Sequence, residues 1–177
     1  MKKLIFAVIF SLSYIFAQAL DLSLGGMTYT LNTETKEATL IICFNNNPQV
    51  VHIPATIEHK GETYTVVAIG DYCFYNKSTI TAVDFDEASQ IRSIGKKSFM
   101  NCNKIESLYL PDEVTAIGSY SFASCSSLTT LELPAKLETM AEGSFSECTS
   151  LTEVSIPAQV STIGKDCFTG CSALQSV

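Results

Sequence analysis

Apolar positions recur along the second half of the chain in one fixed figure: Ile105-x-x-Leu108-x-Leu110, Leu128-x-x-Leu131-x-Leu133 and Leu151-x-x-Val154-x-Ile156. The latter part of each alternates with period two, the mark of a half-buried strand, and Pro111, Pro134 and Pro157 then end the pairing because proline has no N–H to give. A short apolar step such as Val114-x-x-Ile117 follows, and in four copies a glycine comes after it: Gly70, Gly95, Gly118 and Gly164. Glycine there predicts a backbone corner that other residues resist. From the corner, through a phenylalanine, to a cysteine, the pattern predicts a turn or single helical turn that brings the chain back. The phenylalanines are Phe74, Phe99, Phe122, Phe145 and Phe168, separated by 25, 23, 23 and 23 residues. The two extra residues belong to Asp86-Glu87-Ala88-Ser89-Gln90, a loop-like insertion that leaves the flanking figures in register.

One unit of this length has too few apolar side chains to bury them alone, so successive units must stack and share a core. The prediction is a repeat solenoid in which equivalent strands lie about 4.8 Å apart in a parallel sheet and the phenylalanines form a buried row. Five repeats fill residues 66–177. Residues 20–65 read as a β-rich N-terminal cap: strands at Met27–Leu31 and Glu37–Phe44 around a polar turn at Asn32–Lys36, then Thr56–His59 and Tyr64–Val67 flanking Lys60-Gly61-Glu62-Thr63. Val177 corresponds to Val154 and Leu131 inside the strand figure, so the chain is read as a piece of a longer array, the alternative being an exposed last coil that pairs with something.

Residues 1–19 have the layout of a secretory leader: Lys2 and Lys3, an apolar run from Leu4 to Phe16, and Ala17-Gln18-Ala19 as a small-x-small cleavage site. The run rises only about 20 Å as a helix, short of the roughly 30 Å hydrocarbon core. Removal after Ala19 is expected, against an uncleaved anchor as the alternative, and no membrane span is expected afterwards.

Charge narrows the partners. The sequence has 11 Lys and Arg against 18 Asp and Glu, and losing Lys2 and Lys3 takes the net charge from −7 to −9. An acidic surface repels phosphate, which argues against nucleic acid and anionic membrane. No nucleophile elbow, H-E-x-x-H, P-loop or G-x-G-x-x-G is present, so an enzyme is not expected, nor a cofactor. The frequent serines read as turn residues whose hydroxyls satisfy backbone groups.

Seven cysteines in an exported chain invite a disulfide reading. Yet Cys102, Cys125, Cys148 and Cys171 share one repeat position, and in-register side chains point in parallel, leaving their Cβ atoms farther apart than a disulfide allows. Buried free thiols are expected. Zinc at Cys167-x-x-x-Cys171 lacks further ligands, since the only histidines, His52 and His59, belong to the cap. Asp84, Asp86 and Glu87 form the densest acidic patch but lack calcium-loop spacing, and a solvated strand end is the better reading. No metal is expected. Asn76-Lys77-Ser78 is the single N-glycosylation sequon.

The composite unit L-x-x-L-x-L-P-x-x-V-x-x-I-G-x-x-x-F-x-x-C resembles the BspA-type leucine-rich repeats, over roughly Val66 to Val177. The chain departs from it at Met140-Ala141, which replace Ile-Gly, and at Lys77, which replaces the cysteine. The resemblance implies a right-handed leucine-rich-repeat coil with short helical or irregular return turns. It also implies a secreted or cell-surface protein of a bacterium or protist, some relatives being adhesins. The expected function is binding of a protein or cell-surface ligand, with a structural or antigenic surface component as the alternative. The outward strand positions are the expected site: Ala82 and Asp84, Ser107 and Tyr109, Thr130 and Glu132, Glu153 and Ser155. Tyr109 is the one aromatic among them, beside acidic neighbours that would steer a basic partner.

Overall fold

The computed structural model describes residues 19–43 and 49–176. The leader read over residues 1–19 lies outside the described residues except for Ala19, and Phe44 and Val177 lie outside them as well.

The N-terminal part is the expected β-rich cap with two additional strands. β1 (Leu20–Leu24) pairs antiparallel with β2 (Met27–Asn32), and β2 with β3 (Glu37–Cys43). Asn32 closes the second turn, its Oδ1 accepting the N–H groups of Glu34 at 3.0 Å and Thr35 at 3.1 Å. β4 (Val50–Ile53) precedes the predicted hairpin of β5 (Thr56–His59) and β6 (Glu62–Ile69), whose two-residue turn has Lys60 and Gly61 at φ 53° and 78°. Left-handed values at both central residues match the twist of the flanking strands. β6 also pairs in parallel with β3 on one side and with the first coil on the other, so the cap sheet and the solenoid sheet are continuous.

Each coil is extended on two sides. The expected strands are β7 (Ala82–Phe85), β9 (Ser107–Tyr109) and β11 (Thr130–Glu132). The apolar step, to which the sequence reading gave no strand, forms β8 (Ser93–Ile94), β10 (Ala116–Ile117), β12 (Thr139–Met140) and β13 (Thr162–Ile163). These short strands carry the longer ladder, a nine-stranded sheet ordered β1-β2-β3-β6-β8-β10-β12-β13 with β5 on β6. The leucine-bearing side is interrupted: β4 pairs with β7, β9 with β11, and Glu153 bridges to Ser176.

Glycine at the corner has a different cause from the one expected. Gly70, Gly95, Gly118 and Gly164 are absent from the residues with positive φ. A Cβ on Gly95, Gly118 or Gly164 would instead approach backbone of the preceding coil to 2.5, 2.8 and 2.3 Å. The residue is small because stacked coils touch there. The left-handed conformations fall two and six residues later: Tyr72 and Asn76, Lys97 and Asn101, Tyr120 and Ser124, Gly143 and Glu147, Asp166 and Gly170. They allow alternate N–H groups to reach the next coil, as Tyr72, Phe74 and Asn76 donate to the carbonyls of Lys96, Ser98 and Met100. Coil-to-coil hydrogen bonds thus offset the cost of about 1 to 2 kcal/mol that a left-handed residue incurs. No helix occurs among the described residues.

The core is a set of stacked rows. Consecutive phenylalanine rings from Phe74 to Phe168 lie 4.7, 5.1, 5.2 and 5.8 Å apart, all within 12° of parallel. Beside them the cysteines are free and buried, as expected. Each ladder thiol donates to a phenylalanine carbonyl one coil back: Cys102 to Phe74, Cys125 to Phe99, Cys148 to Phe122 and Cys171 to Phe145, at 3.1 to 3.4 Å. Hydroxyls do the same nearer the surface, Thr115 to Arg92, Thr129 to Glu106, Thr149 to Ser126 and Ser161 to Glu138. The expectation for the serines holds only in part: Ser161 and Ser172 bond carbonyls one coil back, Ser144 bonds Ala141 within its own turn, and the buried Ser98 and Ser121 hydroxyls have no hydrogen-bond partner among the described residues.

Candidate interaction face

Register decides which residues face outward. Pairing of β4 with β7 sets Val50 against Ala82 and His52 against Asp84, while β9 and β11 set Ser107 against Thr130 and Tyr109 against Glu132. Between them Val51, Ile53, Leu108, Leu131 and Val154 are buried. Asp84, Thr130, Glu132, Glu153 and Ser155 are exposed, Tyr109 is 55% exposed, and Ala82 and Ser107 are half-buried. The period-two reading of the face thus matches the burial of its strands. His52 and Val50 extend the same rows one coil earlier, which the sequence reading missed. The signal was there in Val51-His52-Ile53-Pro54, a strand end closed by proline, but without the leading leucine that marks the other copies.

Most of the site residues line two grooves. Thr130, Glu132, Glu153 and Ser155 line a groove of about 950 Å3 together with Ile163 and Ser176. Asp84 and Tyr109 line a second, of about 560 Å3, with Asp86, Glu87, Ser89, Asp112 and Glu113. The separation coincides with the break between β7 and β9, where the insertion leaves the two strands without a ladder.

Among the outward strand positions there is no Lys or Arg, while Asp84, Glu132 and Glu153 are acidic. Asp86 has structural work: its Oδ2 accepts the Ala55 N–H at 2.8 Å and its Oδ1 lies 2.9 Å from His52 Nε2. Those bonds tie the insertion to the cap. Among the described residues no group of three or more His, Cys, Asp or Glu is placed to hold a metal ion. Asn76 is exposed in the first return turn, its Oδ1 accepting Asn101 Nδ2 at 2.6 Å, a bond that does not use Nδ2, the atom a glycan would take. Among the described residues no helix is long and apolar enough to cross a membrane.

The fold is a leucine-rich-repeat solenoid with a β cap. The family model described as "BspA type Leucine rich repeat region" matches residues 63–177 in six copies, so the chain belongs to the BspA-type leucine-rich-repeat family. A solved leucine-rich-repeat protein of T. pallidum is 26% identical, with a TM-score of 0.79 over 89% of this chain and 71% of that one. A leucine-rich cell surface protein of Faecalibacterium prausnitzii is 24% identical, with a TM-score of 0.54 over 90% of this chain and 55% of its own. The pneumococcal vaccine antigen PcpA is 18% identical with a TM-score of 0.62, over 86% of this chain. The last two share the fold, and the chain spans about half the length of each. No curated protein matches the chain.

Proposed function

We propose that this chain is an exported, surface-displayed binding module, not an enzyme, which presents the outward face of its leucine-bearing strands to a basic region of a protein ligand. The observation that carries the reading is the make-up of that face: three carboxylates, one exposed tyrosine and no lysine or arginine on the strands. Such a face favours encounter with positive surfaces, and an exposed aromatic at its middle supplies the anchor that charge alone does not. A cell surface protein among the structural relatives supports display outside the cell.

The test of the face is the triple substitution of Tyr109, Glu132 and Glu153 by alanine, with folding verified by circular dichroism and attachment measured on immobilised extracellular proteins and intact cells. Attachment should weaken at least about tenfold, as loss of an interface anchor does. Equal attachment of folded mutant and wild type would favour a spacing or coating role. Export is tested separately: N-terminal sequencing of protein recovered outside the producing cell should begin at Leu20, and a start at Met1 would refute removal of the leader.

A further inference from the structure

We propose that β1 is a docking edge at which two copies of this chain pair through their caps, strand against strand. The inference goes beyond the binding face and does not draw on it, since β9 and β11 form a separate sheet.

The first observation is an open edge. β1 ends the nine-stranded sheet: β2 pairs with one side of it, and among the described residues no strand pairs with the other. Such an edge keeps N–H and C=O groups that only water or a further strand can satisfy, and folds usually guard it with lysine, proline or a bulge. Leu20-Asp21-Leu22-Ser23-Leu24 has no lysine or proline, and its ladder to β2 runs from end to end without a shift in register.

The second is the side on which its leucines stand. Leu20, Leu22 and Leu24 are opposite Leu31, Tyr29 and Met27, all buried, so they continue the core row one strand farther. Their cover is incomplete: Leu20 is 38% and Leu24 47% exposed, and Leu22 is half-buried against the core. The opposite side of the strand is polar and already paired across to β2. Asp21 accepts the Thr30 hydroxyl at 2.7 Å, and the Ser23 and Thr28 hydroxyls share a bond of 2.9 Å. Next to Leu24 the apolar row opens into a groove of about 430 Å3 whose walls include Met27, Tyr29, Pro54 and Ile57.

The third is self-complementarity, which selects the occupant. Set antiparallel about Leu22, two copies place Leu20 against Leu24, Leu22 against Leu22 and Asp21 against Ser23. Every leucine meets a leucine, and the one charge of the strand meets a hydroxyl instead of its own kind. A shift of one residue turns the leucines of one copy to the wrong face, and a shift of two shortens the ladder. The new contact continues the antiparallel pairing that already joins β1 to β2. Both copies use the same patch, so the contact closes as a two-fold dimer and does not propagate into a fibre.

The test follows the self-association of the chain purified from its producing cells by sedimentation equilibrium. Wild type should form a dimer that dissociates on dilution, and a monomer at every concentration, or an open series of larger oligomers, would overturn the proposal. Leu20→Lys with Leu24→Lys sets like charges opposite one another at both ends of the ladder and should weaken the dimer at least about tenfold. Its circular dichroism should match wild type, because both side chains already reach water. A folded variant that dimerises as well as wild type would place the interface elsewhere. Mixtures of single variants read the register: Leu20→Lys with Leu24→Glu should associate more tightly than Leu20→Lys with Leu20→Glu, since only the first brings opposite charges face to face. Equal association of the two mixtures would refute the two-fold register. If the lysine pair unfolds the cap, amide hydrogen exchange of wild type decides instead. Residues 20–24 should gain protection as concentration rises while β13, at the other end of the sheet, gains none, and unchanged exchange in β1 counts against the pairing. A chain that stays monomeric and protects β1 only when an extended apolar peptide is added would assign the edge to a foreign strand and overturn self-pairing.

Discussion

Replacing Phe122 with alanine should destabilise the protein by about 3 to 5 kcal/mol, from lost transfer energy and the cavity left behind. Phe122 is fully buried and has a ring on either side, Phe99 at 5.1 Å and Phe145 at 5.2 Å. In a stacked array each coil is held only by its neighbours, so a cavity in the middle weakens two interfaces at once. Phe168→Ala is the internal comparison: that ring is only partly buried and is stacked on Phe145 at 5.8 Å. Its loss should cost distinctly less. Urea unfolding of both variants, followed by circular dichroism, measures the difference, and equal losses would show that the row does not transmit stability along the array.

Raising the pH above about 8.5 should progressively destabilise the chain. Burial pushes the Cys102 thiol up to about 12 and raises Cys73 and Cys125 as well, and burial pushes the Tyr29 hydroxyl up to about 12. These groups stay protonated in the folded chain after the unfolded chain has released its protons. The stability they give is complete below about pH 8.5, where an unfolded thiol begins to ionise, and is lost as pH rises toward 12. Cys102 alone accounts for something on the order of 4 kcal/mol across that window. Urea midpoints should fall steadily from pH 8 to pH 11, and a flat profile would contradict the argument. The same protonation makes the thiols inert, since the thiolate is the reactive form. Alkylation at neutral pH should leave Cys102 and Cys125 unmodified until urea is added, and should then reach both without reductant.

How far the sequence disclosed this fold depended on how side chains report backbone. Phenylalanines every 23 residues and the cysteines three positions after them are large or inert groups repeated in register, and register alone predicts their stacking. β8 and β10 escaped because two residues cannot alternate, so Ser93-Ile94 and Ala116-Ile117 carry no strand period although they sustain the longer ladder. The left-handed residues escaped for the opposite reason: Tyr72, Lys97 and Tyr120 are poor candidates by type and adopt that conformation because hydrogen bonds to the next coil require it. In the site, the outward rows were legible from period two. The second groove was not, because Asp112 and Glu113 of one coil share it with Asp84 and Glu87 of another across an insertion, and linear spacing does not reveal that arrangement.

The offset of the hydroxyl bonds has a consequence for how such a chain can change. Thr115, Thr129, Thr149 and Ser161 each bond a carbonyl 23 residues earlier. The lower surface of one coil therefore fits the upper surface of any other. Recombination that excises or duplicates one whole 23-residue block rejoins like to like, and every thiol, ring and hydroxyl finds an equivalent partner. A gain or loss of one residue inside a strand turns the rest of that strand's inward side chains outward. Slippage between the DNA copies can thus lengthen or shorten the protein in quantised steps while the fold at each junction is preserved. The two-residue insertion at 86–90 is tolerated because it is spent in the loop between β7 and β8. It gives one coil junction a shape that duplication of the other coils would not supply.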